Sequence, residues 1–100
     1  MTIIVRRTYL PRPGTGGNLL KLVREAADEM AKAGFPRPSI FKAWHGGHGT
    51  VYTDQEWESV LRYEESRDAV RRTAGITTVF SGIYPLLAQT HDTQLLEAVE

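Results

Sequence analysis

The chain has 100 residues, no cysteine, and twelve basic side chains against twelve acidic ones, so its formal charge is zero. A length near the common domain size predicts one domain, residues 1–100. The lack of cysteine excludes disulfides and cysteine-ligated zinc, and the neutral charge argues against a nucleic-acid partner, which would require a basic surface. The N-terminal stretch has no signal-peptide pattern and no apolar run is long enough to span a bilayer. We therefore expect a cytoplasmic protein without membrane insertion.

Residues 2–10 are rich in Ile, Val, Thr and Tyr and predict the first strand. Both of its faces combine apolar and cationic side chains, which favours a strand covered on both sides. The next stretch, PRPGTGG at residues 11–17, lies between a strand and a helix, as a phosphate-binding loop would. It lacks the glycine patterns of such loops, because no GxxxxGK is present and Leu19 replaces the last glycine of GxGxxG. We therefore interpret it as a connector.

The first helix is predicted to begin at the capping residue Asn18 and to end at Gly34, just before Pro36. Pairs of opposite charge four residues apart mark its solvent-exposed side. Apolar side chains at helical spacing indicate the buried side, which contains Leu19, Leu22, Val23, Ala26, Met30 and Ala33.

A β-hairpin is predicted from residues 37–45 and 48–57, joined at Gly46-Gly47, because two glycines accept the positive φ of a tight turn. His45 and His48 flank this turn. Half of a metal site is one interpretation, but no third ligand lies nearby. An esterase oxyanion loop is another, but the chain has no GxSxG nucleophile. We favour a polar hairpin end and predict no metal and no cofactor.

Ser59 is expected to cap a second helix over residues 59–74, in which charges of both signs interleave. The simplest interpretation of these charges is a solvated face connected by salt bridges. The alternative is that Tyr63 or Arg67 reaches a cleft beneath the helix.

Residues 76–90 contain Gly82 and Pro85, which would interrupt a long regular element, so short helical turns and loop are predicted there. Two leucines of this stretch are expected to pack on the core, Leu86 and Leu87. The last strand is predicted over residues 93–99, with three buried side chains, Leu95, Leu96 and Val99.

The order strand, helix, strand, strand, helix, strand predicts a ferredoxin-like βαββαβ fold of the α+β class, with the helices on one face of a four-stranded antiparallel sheet. The third strand would then lie between the first and the second. Asp54 and Glu56 point to one face of that strand. They would lie beside Arg6 or Arg7 on one neighbour and beside Lys42 on the other. The face without helices carries too much bulk and paired charge to be solvated, so we expect a homodimer that packs sheet against sheet.

Two stretches of the chain, RRTYLPRPG at residues 6–14 and the segment around Trp57-Glu58-Ser59 at residues 49–67, resemble NIPSNAP-like proteins. RRTYLPRPG, residues 6–14, is similar to the strand and loop that open those proteins. Residues 49–67, with Trp57-Glu58-Ser59 at their centre, are similar to the strand-to-helix junction of the same group. The resemblance implies a dimeric α+β barrel, a superfamily that includes small monooxygenases, haem-degrading enzymes and stress-related proteins of unknown activity. Val5 stands where the resemblance implies an acidic residue two positions before Arg7, and no haem-ligand signature is present.

Two functions remain open at this point. The first is binding of a small molecule between sheet and helices or inside the barrel, including a cofactor-independent, monooxygenase-like reaction. The second is a non-catalytic homodimeric module that serves structure or protein interaction, since a fold does not supply chemistry by itself. No catalytic residue is assigned, although His45 is a candidate proton acceptor. The candidate pocket residues are Arg7, Tyr9, His45, Tyr52, Asp54, Trp57 and Arg67.

Overall fold

Four strands, three α-helices and one short 3₁₀ turn make up the computed structural model, which describes all residues from 1 to 100. In chain order the elements are β1 (Ile3–Tyr9), α1 (Gly16–Lys32), β2 (Ser39–Lys42), β3 (Val51–Trp57), α2 (Val60–Arg72), α3 (Ala74–Ile83), the 3₁₀ turn (Tyr84–Leu86) and β4 (Asp92–Glu97).

All strand pairings are antiparallel, and the order across the sheet is β2-β3-β1-β4. β3 therefore lies between β1 and β2, which confirms the ferredoxin-like α+β prediction. The longest strands, β1 and β3, occupy the centre, and the shorter β2 and β4 form the edges. None of the helices is long and apolar enough to cross a membrane.

The helices cover one face of the sheet. On β1 this face carries Ile3, Val5 and Tyr9, which are at most 4% exposed, with Arg7 between Val5 and Tyr9. Arg7 separates two groups of buried side chains. The larger group lies under α1 and α3 and includes Tyr9, Leu19, Val23, Val51, Ile83 and Leu87, and the smaller lies under α2 and consists of Ile3, Val5 and Tyr63.

The opposite face of the sheet has no helix over it. The β1–β3 register places Arg6 directly opposite Asp54 on this face, and the two side chains form a bidentate ion pair with distances of 2.8 and 2.9 Å. The hydrogen bonds that Arg6 donates to Asp54, followed by the charge of Asp54, raise the pKa of Arg6. The predicted contact of Lys42 with the acids is wrong, because the β2–β3 register pairs Lys42 with Val51 and places Ser39 opposite Asp54.

The start of α1 differs from the prediction. The helix begins at Gly16, two residues before Asn18, so Asn18 does not cap it. The hydroxyl of Thr15 donates to the carbonyl oxygens of Arg12 and Leu86, at 2.7 and 2.9 Å. This tertiary anchor fixes the chain before Asn18 and determines where the helix begins. The predicted end is confirmed, since α1 stops at Lys32 and Gly34 adopts a φ of 89°.

The connection between β2 and β3 is longer than the two-residue turn predicted from Gly46-Gly47. The amide of Ala43 donates to the carbonyl of Thr50 at 2.9 Å, which closes a loop over the residues in between. Gly46, Gly47 and Gly49 all have positive φ values, so the backbone curves through three left-handed positions. The tight-turn prediction is therefore wrong, because the third glycine allows a wider loop.

Residues 74–83 form a regular helix, α3, although short turns and loop were predicted there. Its β-branched residues have a weak preference for helix, but burial of Ile76 and Ile83 outweighs that preference. Leu87 is buried as predicted, and Leu86 packs against the same core.

β4 lies at the edge of the sheet and is more exposed than predicted. Leu95 is 43% exposed and Val99 is 89% exposed, and only Leu96 is half-buried. The prediction that all three are buried is wrong for the protomer, because no helix covers the end of this edge strand.

Candidate functional site

A cleft lies between the helix-covered face of β1 and the two C-terminal helices. It has two adjoining chambers of about 190 and about 70 Å³, which share Arg7, Met30, Arg67, Val70 and Arg71. The larger chamber is completed by Ile76, Thr77, Phe80, Tyr84 and His91. The smaller is completed by Gln55, Trp57, Tyr63 and Ser66.

The hydroxyl group of Tyr63 connects the sheet to α2 inside this cleft. Arg67 Nη1 donates to it at 2.7 Å and Arg7 Nη2 donates to it at 3.2 Å. The Arg67 guanidinium also lies over the Tyr63 ring, with its carbon 5.4 Å from the ring centroid, in a cation–π contact. Two arginines from different elements therefore meet at one oxygen atom.

The sequence places Tyr63 and Arg67 there through local rules. Only Glu58 and Ser59 separate β3 from α2, and the Ser59 side chain caps the helix by accepting the Arg62 amide N–H at 3.2 Å. Residues four apart lie on the same side of a helix, so Tyr63 and Arg67 face the sheet together. The Tyr63 ring then packs edge-on against Trp57 at 5.9 Å between centroids.

A cluster of four rings lies beside the larger chamber, and three of them, Phe80, Tyr84 and His91, line it. His91 stacks on Tyr84 at 5.9 Å with an angle of 8° between the planes. It also lies 5.3 Å from Tyr9 and 6.4 Å from Phe80. The β1–β4 register ends with Thr8 opposite Asp92, so His91 continues that ladder to the level of Tyr9.

Burial controls the ionisation of two of these rings. Desolvation, and then the charge of Arg7, lower the pKa of His91, while Asp92 acts in the opposite direction. The neutral imidazole is therefore favoured. Desolvation raises the pKa of Tyr9 to about 12, so its phenol stays protonated at neutral pH.

Two buried nitrogen atoms at the cleft have no hydrogen-bond partner in the protein. They are Nε1 of Trp57, a residue of the smaller chamber, and Nδ1 of His91, a residue of the larger chamber. Buried polar atoms are paired in the great majority of cases, so each unpaired atom calls for an explanation. A ligand in the cleft is one explanation for both.

The cleft is positively charged. Its lining contains three arginines and no aspartate or glutamate. Arg71 is paired with Asp68 at 3.4 Å, whereas Arg7 and Arg67 form no ion pair. No group of three or more His, Asp or Glu side chains could hold a metal ion.

The structure separates the candidate residues into three locations. Arg7, Trp57 and Arg67 line the cleft, and Tyr9 lines a separate cavity of about 20 Å³ that shares Arg7 with it. Tyr52 and Asp54 lie on the opposite face of the sheet. His45 is exposed in the β2–β3 loop, away from both.

Sequence reasoning did not include several cleft residues among the candidates. Tyr63 was predicted only as an alternative, with Arg67, to reach a cleft beneath the helix, and its signal was its position four residues before Arg67, which places both side chains on one side of that helix. His91 had no such signal, because its position follows from the β1–β4 register. Tyr84 and Arg71 enter the cleft only through the packing of α2 and α3.

No protein-family model matches the chain, and no curated protein matches it in sequence. Solved structures do match. A NIPSNAP family protein from Agrobacterium tumefaciens strain C58 superposes with a TM-score of 0.82 and 21% identity, over 99% of this chain and 87% of the other. An uncharacterised NIPSNAP domain protein from Burkholderia xenovorans gives 0.84 and 15%, over 97% and 94%.

An antibiotic biosynthesis monooxygenase matches as well, with a TM-score of 0.78 and 18% identity, over 98% of this chain and 99% of the other. Identities this low show the fold alone. The chain therefore has the ferredoxin-like α+β fold of NIPSNAP proteins and of this monooxygenase, and the resemblance seen in the sequence is confirmed at the level of the fold.

Proposed function

We propose that this chain is a homodimeric protein of the cytoplasm that binds a small molecule in the cleft between β1, α2 and α3. The observation that carries this proposal is the pair of unpartnered nitrogen atoms, Trp57 Nε1 and His91 Nδ1, which belong to one lining residue of each chamber. A cleft that combines apolar walls with a few convergent polar groups is the usual form of a ligand site. A purely structural module would gain nothing from leaving these groups unpaired.

The test is to block the cleft. Val70 lines both chambers, so Val70→Trp would fill space where a ligand would lie. A library of small neutral, cationic and anionic fragments is screened by NMR against the wild-type protein and the variant. We expect the fragments that shift cleft resonances in the wild type to lose at least about tenfold in affinity in the variant, which corresponds to about 1.4 kcal/mol.

The matched control places the same side chain on the same helix outside the cleft. Leu61 is 67% exposed and lines neither chamber, so Leu61→Trp should bind fragments as the wild type does. Circular dichroism checks that both variants fold. Fragments that bind elsewhere, or that bind Val70→Trp unchanged, would refute a ligand site in this cleft.

The homodimer is proposed on the open face of the sheet. That face carries Phe41, which is 51% exposed, together with Tyr52 and the Arg6–Asp54 ion pair. Packing two such faces together would cover the apolar side chains and bury charges that are already paired.

Cofactor-independent oxidation, of the monooxygenase-like kind, is the second candidate function. The observation that favours it is His91, whose depressed pKa keeps a neutral imidazole beside the cleft, with an unpaired Nδ1. A neutral imidazole can accept a proton from a bound substrate. Uptake of dissolved oxygen in the presence of a cleft-bound fragment would distinguish this function from simple binding.

A further inference from the structure

Hydrogen-bond donors outnumber the acceptors in the cleft. Arg7 and Arg67 both donate to the Tyr63 hydroxyl oxygen, which uses its lone pairs. The hydroxyl proton of Tyr63 therefore points elsewhere, and no protein atom accepts it. Each guanidinium carries roughly five N–H donors, and each donates only one of them to a protein atom.

The charges at this point are also unbalanced. Arg7 and Arg67 have no carboxylate partner, and no acidic side chain lines either chamber. Two cations that share one oxygen atom repel each other, and partial burial strengthens the repulsion. An anion between them would remove that repulsion and accept the free N–H and O–H groups.

An apolar wall lies beside these donors. It belongs to the larger chamber and consists of Met30, Val70, Ile76, Phe80 and Tyr84. The chamber volume of about 190 Å³ is below the roughly 300 Å³ at which pockets for drug-sized ligands begin. The ligand is therefore small, with one anionic end and one apolar end.

We propose that the cleft binds a small organic carboxylate, with its carboxylate group held by Arg7, Arg67 and the Tyr63 hydroxyl and its apolar body in the larger chamber. This inference rests on the proposed function and specifies the chemical class of the ligand. The planar guanidinium fork matches a carboxylate in shape and charge. Inorganic phosphate would satisfy the donors but would leave the apolar wall uncovered.

The test compares three probes by NMR titration and calorimetry: benzoate, its neutral isostere benzamide, and inorganic phosphate. We expect benzoate to bind at least about tenfold more tightly than benzamide, because charge-assisted hydrogen bonds are about twice as strong as neutral ones. Benzoate should also bind more tightly than phosphate, and its affinity should fall as salt is added. Phosphate as the tightest probe would overturn the carboxylate class.

Variants on α2 locate the anion. Arg67→Gln should weaken benzoate binding about tenfold, and Arg67→Lys less, because lysine keeps the charge without the fork. Tyr63→Phe keeps the ring and removes the hydroxyl, so it should weaken benzoate and leave benzamide nearly unchanged. The control is Arg72→Gln, which removes the same charge from an 80% exposed side chain outside the cleft and should change affinity less than about twofold.

The outcomes separate this inference from the proposed function. If benzamide and other neutral fragments bind in the cleft as tightly as benzoate, the carboxylate assignment is wrong and the ligand site stands. If Arg67→Gln and Arg72→Gln affect benzoate equally, the anion does not lie between Arg7 and Arg67. If no fragment of any charge binds in the cleft, both proposals are wrong.

Discussion

Arg7 is a charged residue on the face of β1 that the helices cover. The residues two positions away on either side, Val5 and Tyr9, are almost fully buried. Placing a charge between two buried groups is costly unless the charge is solvated or paired. The cleft gives the Arg7 guanidinium space and a hydrogen-bond partner, the Tyr63 hydroxyl. Arg7 therefore both separates the two groups of buried side chains and lines the candidate site.

The pH dependence of stability follows from His91. Desolvation and the charge of Arg7 lower the His91 pKa in the folded protein, so the unfolded chain binds more protons below the ordinary value of 6.5. Stability linked to His91 is therefore fully present above that value and is lost as the pH falls through the folded-state pKa. We expect the melting temperature of the wild type to fall more between about pH 7.5 and about pH 5 than that of His91→Gln.

The control for this prediction is His45→Gln, which removes an exposed histidine of the β2–β3 loop that has no contact with the cleft. It should keep the wild-type difference in melting temperature between the two pH values. An equal pH dependence for the wild type and His91→Gln would show that His91 does not have a lowered pKa.

At the scale of elements, α2 is the most weakly attached helix. Tyr63 is its one buried side chain, and it anchors the helix through Trp57 and the hydrogen bond from Arg7. By contrast, α1 buries five side chains against the sheet and α3. The start of α2 therefore depends strongly on local capping by Ser59.

Ser59→Ala removes the side-chain oxygen that accepts the Arg62 amide N–H. We expect a loss of about 1 kcal/mol in the free energy of unfolding, measured by urea denaturation, because that donor loses its partner. Hydrogen exchange at Arg62 and Tyr63 should become faster in the variant than in the wild type, whereas exchange in α1 should not change. Unchanged stability and exchange would mean that the cap contributes nothing to α2.

The matched control is Ser81→Ala in α3. The Ser81 hydroxyl donates to the Thr78 carbonyl within the helix, at 2.6 Å, and caps no free amide. Alanine has the higher helix propensity, so this variant should be neutral or slightly more stable, by at most about 0.5 kcal/mol.

At the scale of the whole molecule, the open face of the sheet is the proposed dimer interface. Its central ion pair is partly exposed in the protomer, with 40% of the Arg6 side chain and 19% of the Asp54 side chain accessible. An exposed pair of this kind contributes about 0–1 kcal/mol, whereas removing one partner of a buried pair costs about 3–5 kcal/mol. A monomer, in which this ion pair is exposed, and a homodimer, in which it is buried, should therefore respond differently to the loss of one of its charges.

We expect Asp54→Asn to shift a homodimer toward monomer, as measured by analytical ultracentrifugation at micromolar concentration. The reason is that Arg6 would be left unpaired inside the interface, at a cost of about 3–5 kcal/mol. Glu58→Gln removes the exposed pair with Arg62, whose atoms are 3.9 Å apart, and should leave the assembly unchanged. A wild-type protein that sediments as a monomer would contradict the homodimer itself.

The sequence by itself determined the order and type of most elements. Strand-forming residues in VYTDQEW, with Asp54 and Glu56 on one face, predicted β3, because this pattern is local. Apolar side chains at helical spacing predicted the buried side of α1 for the same reason, except at Ala33, which is exposed. The Ser59 cap and the Tyr63–Arg67 spacing were also readable for the same reason. These local patterns were sufficient to predict the ferredoxin-like order of the strands.

Only the tertiary structure decided which residues share the cleft. The β1–β4 register brings His91 beside Tyr9, and the packing of α3 brings Phe80 and Tyr84 against both. Register and helix docking depend on contacts between residues far apart in the chain, which no local pattern encodes. For the same reason the sequence could not tell that Arg7 faces the helices while Arg6 and Asp54 face the other way, since that is a difference of one residue in a strand.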